Sequence, residues 1–482
     1  MNKNFKVIFN KSTGCFQAVA EFAKSHVSSS TKSSSNVIST NSAVLTTQYR
    51  AVTAAVFMAL GLGSAISPAH GADCVGGTNQ NDAGTEVVAC GVNINQQQAP
   101  GTQSIGIGSD INAAGAFSIV LGNNFNANPS TVSGNQAIAI GSSSSASFNS
   151  ADADGTSSVA IGGSAPALGL NGANASADYG VAIGTGSAAS GANSLAIGRE
   201  SASQGLNSLA FGRGSVSGGQ DSLAFGRGSV SPGAGAIAVG RTTAANSDNS
   251  TAMGSAATAT GAEATAFGSG STAQGVSATA IGPSASATEL QTFAAGKNAQ
   301  AASVNSVAVG FASRASGPSA VSIGDSSRAG GLQGVAVGNG ATASGSQSVA
   351  IGTNALAQGV QTISIGTGNQ VTGNNSGAIG DPNTISGSGS YALGNNNVIE
   401  ANNAFAVGNN INIAAGLGGA VGIGNNTTVD AVDNGGTYTL NGGTPAATTA
   451  TANLSVGASG AERRITNVAA ADLSATSTDA VN

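Results

Sequence analysis

The chain has 482 residues, of which 73 are glycine and 7 % are charged, and it contains no tryptophan. That composition is unlike an ordinary globular enzyme, and the usual prior of roughly 150 residues per domain fails wherever a short unit is copied many times. From Asp73 onward, nine Lys and Arg stand against twenty Asp and Glu, a net charge near −11 over 410 residues, and so mild and acidic a balance gives no reason to expect nucleic acid as a partner.

The first segment reads as an extended signal peptide, residues 1–72. Lys3, Lys6, Lys11, Lys24, Lys32 and Arg50 face the single acid Glu21. The apolar run Ala51 to Ile66 and the small residues Ser67 to Ala72 follow, which is the order of charge, apolar core and cleavage site in a secretory leader. At 16 residues, with two glycines and Pro68 just beyond, the run is short for a membrane anchor. Both histidines, His26 and His70, fall in this segment, so the mature chain lacks the commonest residue of general-base and metal chemistry. No catalytic residue, cofactor or metal ligand is assigned. The opening MNKNFKVIFNKSTGCFQAVAEFAKS resembles the extended signal peptide region of the autotransporters, the type V secreted proteins. That resemblance implies export across the inner membrane of a Gram-negative bacterium.

Residues 73–103 read as an N-terminal cap. Cys74 and Cys90 are the cysteines that survive cleavage, and in an oxidising compartment a disulfide between them would close a short loop; two buried thiols are the alternative.

Residues 104–424 read as a repeat, regular from about 184 to 408. Seventeen glycines, from Gly184 to Gly408, recur every 14 residues without a slip, each closing a four-residue apolar phrase such as Val349-Ala350-Ile351-Gly352. A second glycine recurs seven residues later in most copies, as at Gly191, Gly205, Gly261 and Gly345. Each unit is therefore two half-coils with a turn after each, and the period-two pattern between turns is strand, which makes the whole an all-β, parallel β-solenoid. Sixteen intervals at about 4.8 Å give a rod of roughly 75 to 80 Å. Before the regular run the phrase recurs at Gly108, Gly122, Gly141 and Gly162, and after it at Gly424, with spacings of 14 to 22 that place inserted loops at corners.

In each phrase the first and third residues share one face and the middle one takes the other. The bulk of the flanking Val, Ile and Phe places them inside, against small residues such as Ala341, Ala343, Ser201 and Ser203 of the other half-coil. The middle row then faces outward: Ala182, Ala196, Ala210, Ala224, Ala238, Ala252, Ala266, Ala280, Ala294, Ala308, Ala336, Ala350, Ala378, Ala392 and Ala406, with Ser322 and Ser364 in the two remaining copies. A flat, uncharged outer stripe does not stay in water, so this row is expected to be a subunit interface; the reverse arrangement, with alanine as core, is the alternative. Thr258, Gln300, Arg314, Arg328 and Gln370 mark the other wall as the solvent face. Ordering 14 residues costs about 1 to 2 kcal/mol apiece and burying two large aliphatics returns about 3 to 6 kcal/mol, so a coil needs neighbours and partners.

NSLAIG at Asn193 to Gly198 and QSVAIG at Gln347 to Gly352, recurring every 14 residues, resemble the head of YadA-like trimeric autotransporter adhesins. The resemblance covers residues from about 104 to 482 and implies a left-handed parallel β-roll assembled as a homotrimer. Residues 425–458 read as a loop insertion and last coil. Residues 459–482, SGAERRITNVAAADLSATSTDAVN, resemble the neck that joins such a head to a stalk, with Glu462, Arg463, Arg464, Ile465, Asn467, Val468, Asp479, Ala480, Val481 and Asn482 where the neck pattern places them. Family members continue into a heptad stalk and an outer-membrane barrel, the route of membrane anchoring. Neither pattern occurs before Asn482, so the sequence is expected to be a fragment or a truncated product.

Arg199, Arg213, Arg227 and Arg241 follow the glycine corner in four successive coils and form a candidate ligand-binding ladder for an anionic glycan or acidic matrix protein, with a solvated row partly neutralised by Glu200 and Asp221 as the alternative. Asn395 to Asn397, Asn409 with Asn410 and Asn425 with Asn426 read as structural corner stacks. The function implied is a cell-surface adhesin head, non-enzymatic, that attaches the bacterium to host cells, extracellular matrix proteins, cell-surface glycans or other surfaces. A structural spacer of a surface fibre and an extracellular β-helix carbohydrate-active enzyme are the alternatives; the second needs clustered acids, bases or a metal site in a cleft, and the acids here are scattered.

Overall fold

The computed structural model describes residues 103–123, 130–432 and 449–469, together with the backbone of five short strands nearer the N-terminus. The chain divides into two units, Met1–Ile66 and Ser67–Asn482, and each is described by itself. In the first, Phe5–Asn10 pairs antiparallel with Cys15–Ala20.

The second unit is a parallel β-solenoid. Three-residue strands from the apolar phrases, such as Val181–Ile183 and Leu195–Ile197, form one sheet, here termed the phrase sheet. Two-residue strands from the other half-coils, such as Ala188–Ala189 and Ala202–Ser203, form the return sheet. Among the described residues the phrase sheet has 24 strands and the return sheet 23. Among the described strands neither sheet closes on itself: the phrase sheet runs from Val88–Cys90, paired with Ile105–Ser109, to Leu454–Ser455, paired with Val421–Ile423, and the return sheet from Gln80–Asp82, paired with Ile94–Gln96, to Asn412–Ile413, paired with Val398–Ile399. The coils thus reach into the segment read as a cap, through Gln80–Asp82 and Ile94–Gln96. Register follows the repeat, Val181 opposite Leu195 and Leu195 opposite Leu209. Where the spacing lengthens the ladder is kept, Ile138 pairing Val159 and Val159 pairing Val181, so the extra residues leave as loops. One such loop contains a single 3₁₀ turn, Pro166–Leu168.

The faces of the phrase sheet are the reverse of those expected. The fifteen alanines from Ala182 to Ala406 are buried inside the single coil, and the large residues on either side of them point out. Ala196 is fully buried between half-exposed Leu195 and Ile197, and Ala224 between Leu223 and exposed Phe225. The physical reason is the length of the half-coil. Seven residues, of which several make the corner, leave strands of two or three, and from Ala182 to Ser364 the space between the two sheets is filled by small residues, chiefly alanine and serine with an occasional threonine. The alanine row is therefore core, and Thr251, Thr265 and Thr279 stand on the outer stripe. The return sheet agrees with expectation: Ser201, Ser203, Ala341 and Ala343 are inside, and Gln300, Arg314, Arg328 and Gln370 are exposed.

Most interior serines bond to the corner backbone or to one another, while the hydroxyls of Ser118, Ser158 and Ser194 are buried without a partner. Ser201 Oγ donates to the Gly198 carbonyl at 2.8 Å and Ser208 Oγ to the Gly205 carbonyl at 2.7 Å, closing each corner from within. Larger interiors appear toward the two ends of the solenoid: Ile111, Val120 and Val132 are buried in early coils, and Val371, Ile385, Ile399 and Ile413 line the return sheet in the last ones. There Asn369, Asn383 and Asn397 form a buried column. Asn383 Nδ2 donates to Asn369 Oδ1 at 3.0 Å and to the Gly394 carbonyl at 2.8 Å, and Asn397 Nδ2 repeats the pattern on Asn383 Oδ1 and the Gly408 carbonyl.

Candidate subunit and ligand-binding surfaces

The phrase sheet presents two columns of large apolar residues on its outer face. Leu209, Phe211, Phe225, Phe267, Ile281 and Ile351 are exposed, and the stripe continues through Ile379, Leu393 and Phe405. Phe211 and Phe225 stack with centroids 5.0 Å apart and planes 6° from parallel. At Gly377 one column lacks a side chain and the Tyr391 ring leans across the gap, leaving an apolar notch of about 250 Å³ edged by Ile363, Ile379, Leu393 and Phe405. A stripe this long and apolar fits contact with another molecule far better than it fits water. The alanines expected at a subunit interface are thus covered, and the surface that the phrase sheet exposes is formed by their large neighbours.

Two positive-φ positions build the corner that closes each phrase, and one builds the corner after each return strand. Gly254 has φ 132°, and a Cβ there would stand 2.5 Å from the Gly268 carbonyl oxygen of the next coil. Two residues after each corner glycine comes a left-handed residue, which sequence reasoning missed. It recurs every seventh position from Tyr179 to Asn410 except at Pro382, and is most often Asn or Gly, the residues that tolerate that conformation. Their side chains stack from coil to coil: Asn193 Nδ2 donates to Asn207 Oδ1 at 3.2 Å, Gln347 Nε2 to Gln333 Oε1 at 3.2 Å, and Asn396 Nδ2 to Asn410 Oδ1 at 2.7 Å. The asparagine corners hold in the same way, the Asn395 amide donating to Asn409 Oδ1 at 2.7 Å and that of Asn409 to Asn425 Oδ1 at 3.2 Å. Asn397 belongs to the interior column instead.

Arg199, Arg213, Arg227 and Arg241 occupy one corner in consecutive coils, with Arg213, Arg227 and Arg241 exposed and Arg199 partly so. Glu200 lies 3.6 Å from Arg199 and 3.9 Å from Arg213. Asp221, expected to help neutralise the row, stands on the other corner, where it accepts from Asn207 Nδ2 at 2.8 Å and from Gln220 Nε2 at 3.1 Å.

At the C-terminal end the Arg463 guanidinium donates to the carbonyl oxygens of Asn425, at 2.6 Å, and Val456, and to Thr427 Oγ1 at 3.2 Å, which gives partners to the backbone of the last described coils. The Gly460 amide donates to Glu462 Oε1 at 2.9 Å and holds that carboxyl below the usual range. Arg464, Ile465, Asn467 and Val468 are exposed. Asp479, Ala480, Val481 and Asn482 lie outside the described residues, as do Cys74 and the side chain of Cys90.

Comparison with known families adds two matches. Residues 1–50 match the Extended Signal Peptide of Type V secretion system. Eight segments, 167–187, 189–215, 217–242, 245–271, 273–299, 301–327, 329–355 and 357–381, match the YadA head domain repeat, described as two copies, and the longer segments each cover about two of the coils seen here. No curated protein matches the chain.

Proposed function

We propose that this chain, which belongs to the trimeric autotransporter adhesins and carries a YadA-like head, attaches its Gram-negative bacterium to host cells or extracellular matrix through the polar faces and corners of the solenoid. The chain is exported to the cell surface, and its family is one of non-enzymatic adhesins. The observation that carries the reading is the contrast between the phrase sheet, whose outer face is a stripe of large apolar residues, and the return sheet, whose outer face holds small residues together with Thr258, Gln300, Arg314, Arg328 and Gln370. Three copies that meet along their phrase sheets cover Leu209, Phe211, Phe225 and their counterparts, a gain of about 25 cal/mol for each Å² of apolar surface removed from water. The return sheets and the corners stay outward, in three repeats around the trimer. Attachment then rests on shape and side chains spread over many coils. A role as spacer alone has no specific feature in its favour.

The test is to purify the exported chain, measure its mass in solution, and assay binding to immobilised collagen, fibronectin and laminin and to host cells. Trimers that bind at least one of these support the reading; trimers that bind none leave a spacer, and monomers remove the interface.

A further inference from the structure

The corner occupied by Arg199, Arg213, Arg227 and Arg241 carries more charge than its surroundings account for. Four of the nine basic residues after residue 72 stand in four consecutive coils at one corner position, about 4.8 Å apart along the stacking direction. Like charges on adjacent strands repel, and each added arginine raises that cost. Glu200 is the only carboxylate among the described residues within salt-bridge distance of the row, and it reaches Arg199 and Arg213 alone. The carboxylate of Asp221 is turned to the opposite corner. Beside the two middle rungs the strip is bare, between Glu200 and Thr242 at its ends: Gly214 has open space where a side chain would stand, and Gly228 has only the Thr242 methyl carbon at 3.6 Å.

We propose that this ladder binds a linear sulfated polysaccharide laid along the stacking direction of the coils. A polyanion supplies the counter-charge that the chain lacks at Arg227 and Arg241. The guanidinium fork meets paired sulfate oxygens in the bidentate way it meets carboxylate and phosphate. Glycines at the left-handed positions let a polymer lie close to the backbone. Single-stranded nucleic acid is a poorer fit, because its binders combine positive charge with aromatic platforms for the bases. The corner positions of these coils hold no aromatic residue, and Phe211 and Phe225 stack on each other on the adjoining face.

The inference rests on the adhesin reading but is tested apart from it. Heparin fragments, fully desulfated heparin and a single-stranded oligothymidylate are titrated into the purified, exported chain in its assembled state. Four Arg→Ser substitutions should weaken heparin binding by about tenfold or more, and R314S with R328S, an equal charge per residue on the return sheet, by less than about threefold. E200Q removes the one carboxylate tied to the ladder and should strengthen binding, an outcome that misfolding cannot imitate. Equal losses in the two sets of arginine variants, equal affinity for desulfated heparin, or tighter binding of the oligothymidylate overturns the proposal. So does loss of trimers in the four-Ser variant with no heparin binding by the native chain, which would assign the row to the subunit contact. Native chain that ignores heparin yet holds cells removes this inference and leaves the attachment function standing.

Discussion

Ala210 and Phe211 are consecutive in the chain and lie on opposite sides of one sheet: the alanine has no exposed surface, and the phenylalanine is 44 % exposed. The middle residue of the phrase, alanine or serine, is core and its neighbours form the outer face, through the seventeen coils of the regular run. Stability within a chain comes from close-packed alanine and serine, from parallel backbone ladders and from corner hydrogen bonds. The large apolar residues are available for assembly.

Substitutions at these two positions are therefore expected to part company. Ala210→Leu overfills a space sized for a methyl group and should destabilise the coils around it by about 1 to 3 kcal/mol or more. Phe211→Ser should leave the coil intact and weaken association instead. Hydrogen exchange across residues 195–225, together with mass in solution, separates the two effects.

The corner positions predict opposite signs for two glycine exchanges. Gly254→Ala places a Cβ at φ 132° and against the Gly268 carbonyl, so a loss above about 2 kcal/mol is expected. Thr242 holds a β-branched side chain at φ 53°, and Thr242→Gly should gain up to about 1 kcal/mol despite losing the bond from Thr242 Oγ1 to the Arg241 carbonyl. Thermal unfolding of the two variants beside the parent checks both signs.

Asn383→Ala should cost about 2 kcal/mol or more, because it takes the side-chain donor from the Gly394 carbonyl and one of two donors from Asn369 Oδ1, and removes the acceptor of both the backbone amide and Nδ2 of Asn397. Faster exchange confined to the last coils, about residues 369–411, is the expected signature.

Asp152 carries a pH-dependent cost. It is buried, and burial raises the pKa of its carboxyl although Thr131 donates to it from Oγ1 at 2.8 Å and from its amide at 3.1 Å. A carboxyl raised in the folded state favours folding when protonated, and that contribution is lost as pH rises through its folded pKa. Asp152→Asn keeps an acceptor for Thr131 and should raise the melting temperature at neutral pH, with the gain shrinking as pH falls into the carboxylate range.

Much of this architecture is legible in the sequence. The glycines from Gly184 to Gly408 set the period, the second glycine sets the half-coil, and Gln300, Arg314 and Arg328 mark the solvent wall. The facing of the phrase was not legible, because Val-Ala-Ile alternates equally well with either side inward. The thickness of the coil decides between them, and it follows from how few residues remain between corners. The left-handed position was hidden because Asn207, Glu200 and Ala256 share a backbone conformation and no side-chain chemistry. Asp221 lies between Arg213 and Arg227 in the chain, which places it with the arginine row in sequence, but half a coil carries it to the far corner.

The most direct test of the assembled arrangement is hydroxyl-radical labelling of the native chain in solution. Phe267, on the apolar stripe, is 52 % exposed in a single chain and Phe311, at a corner, is 50 % exposed, so their intrinsic access is nearly equal. If the chains meet along their phrase sheets, Phe267 is labelled several-fold more slowly than Phe311. Equal labelling of the two would show that the stripe is open to water and would contradict the account.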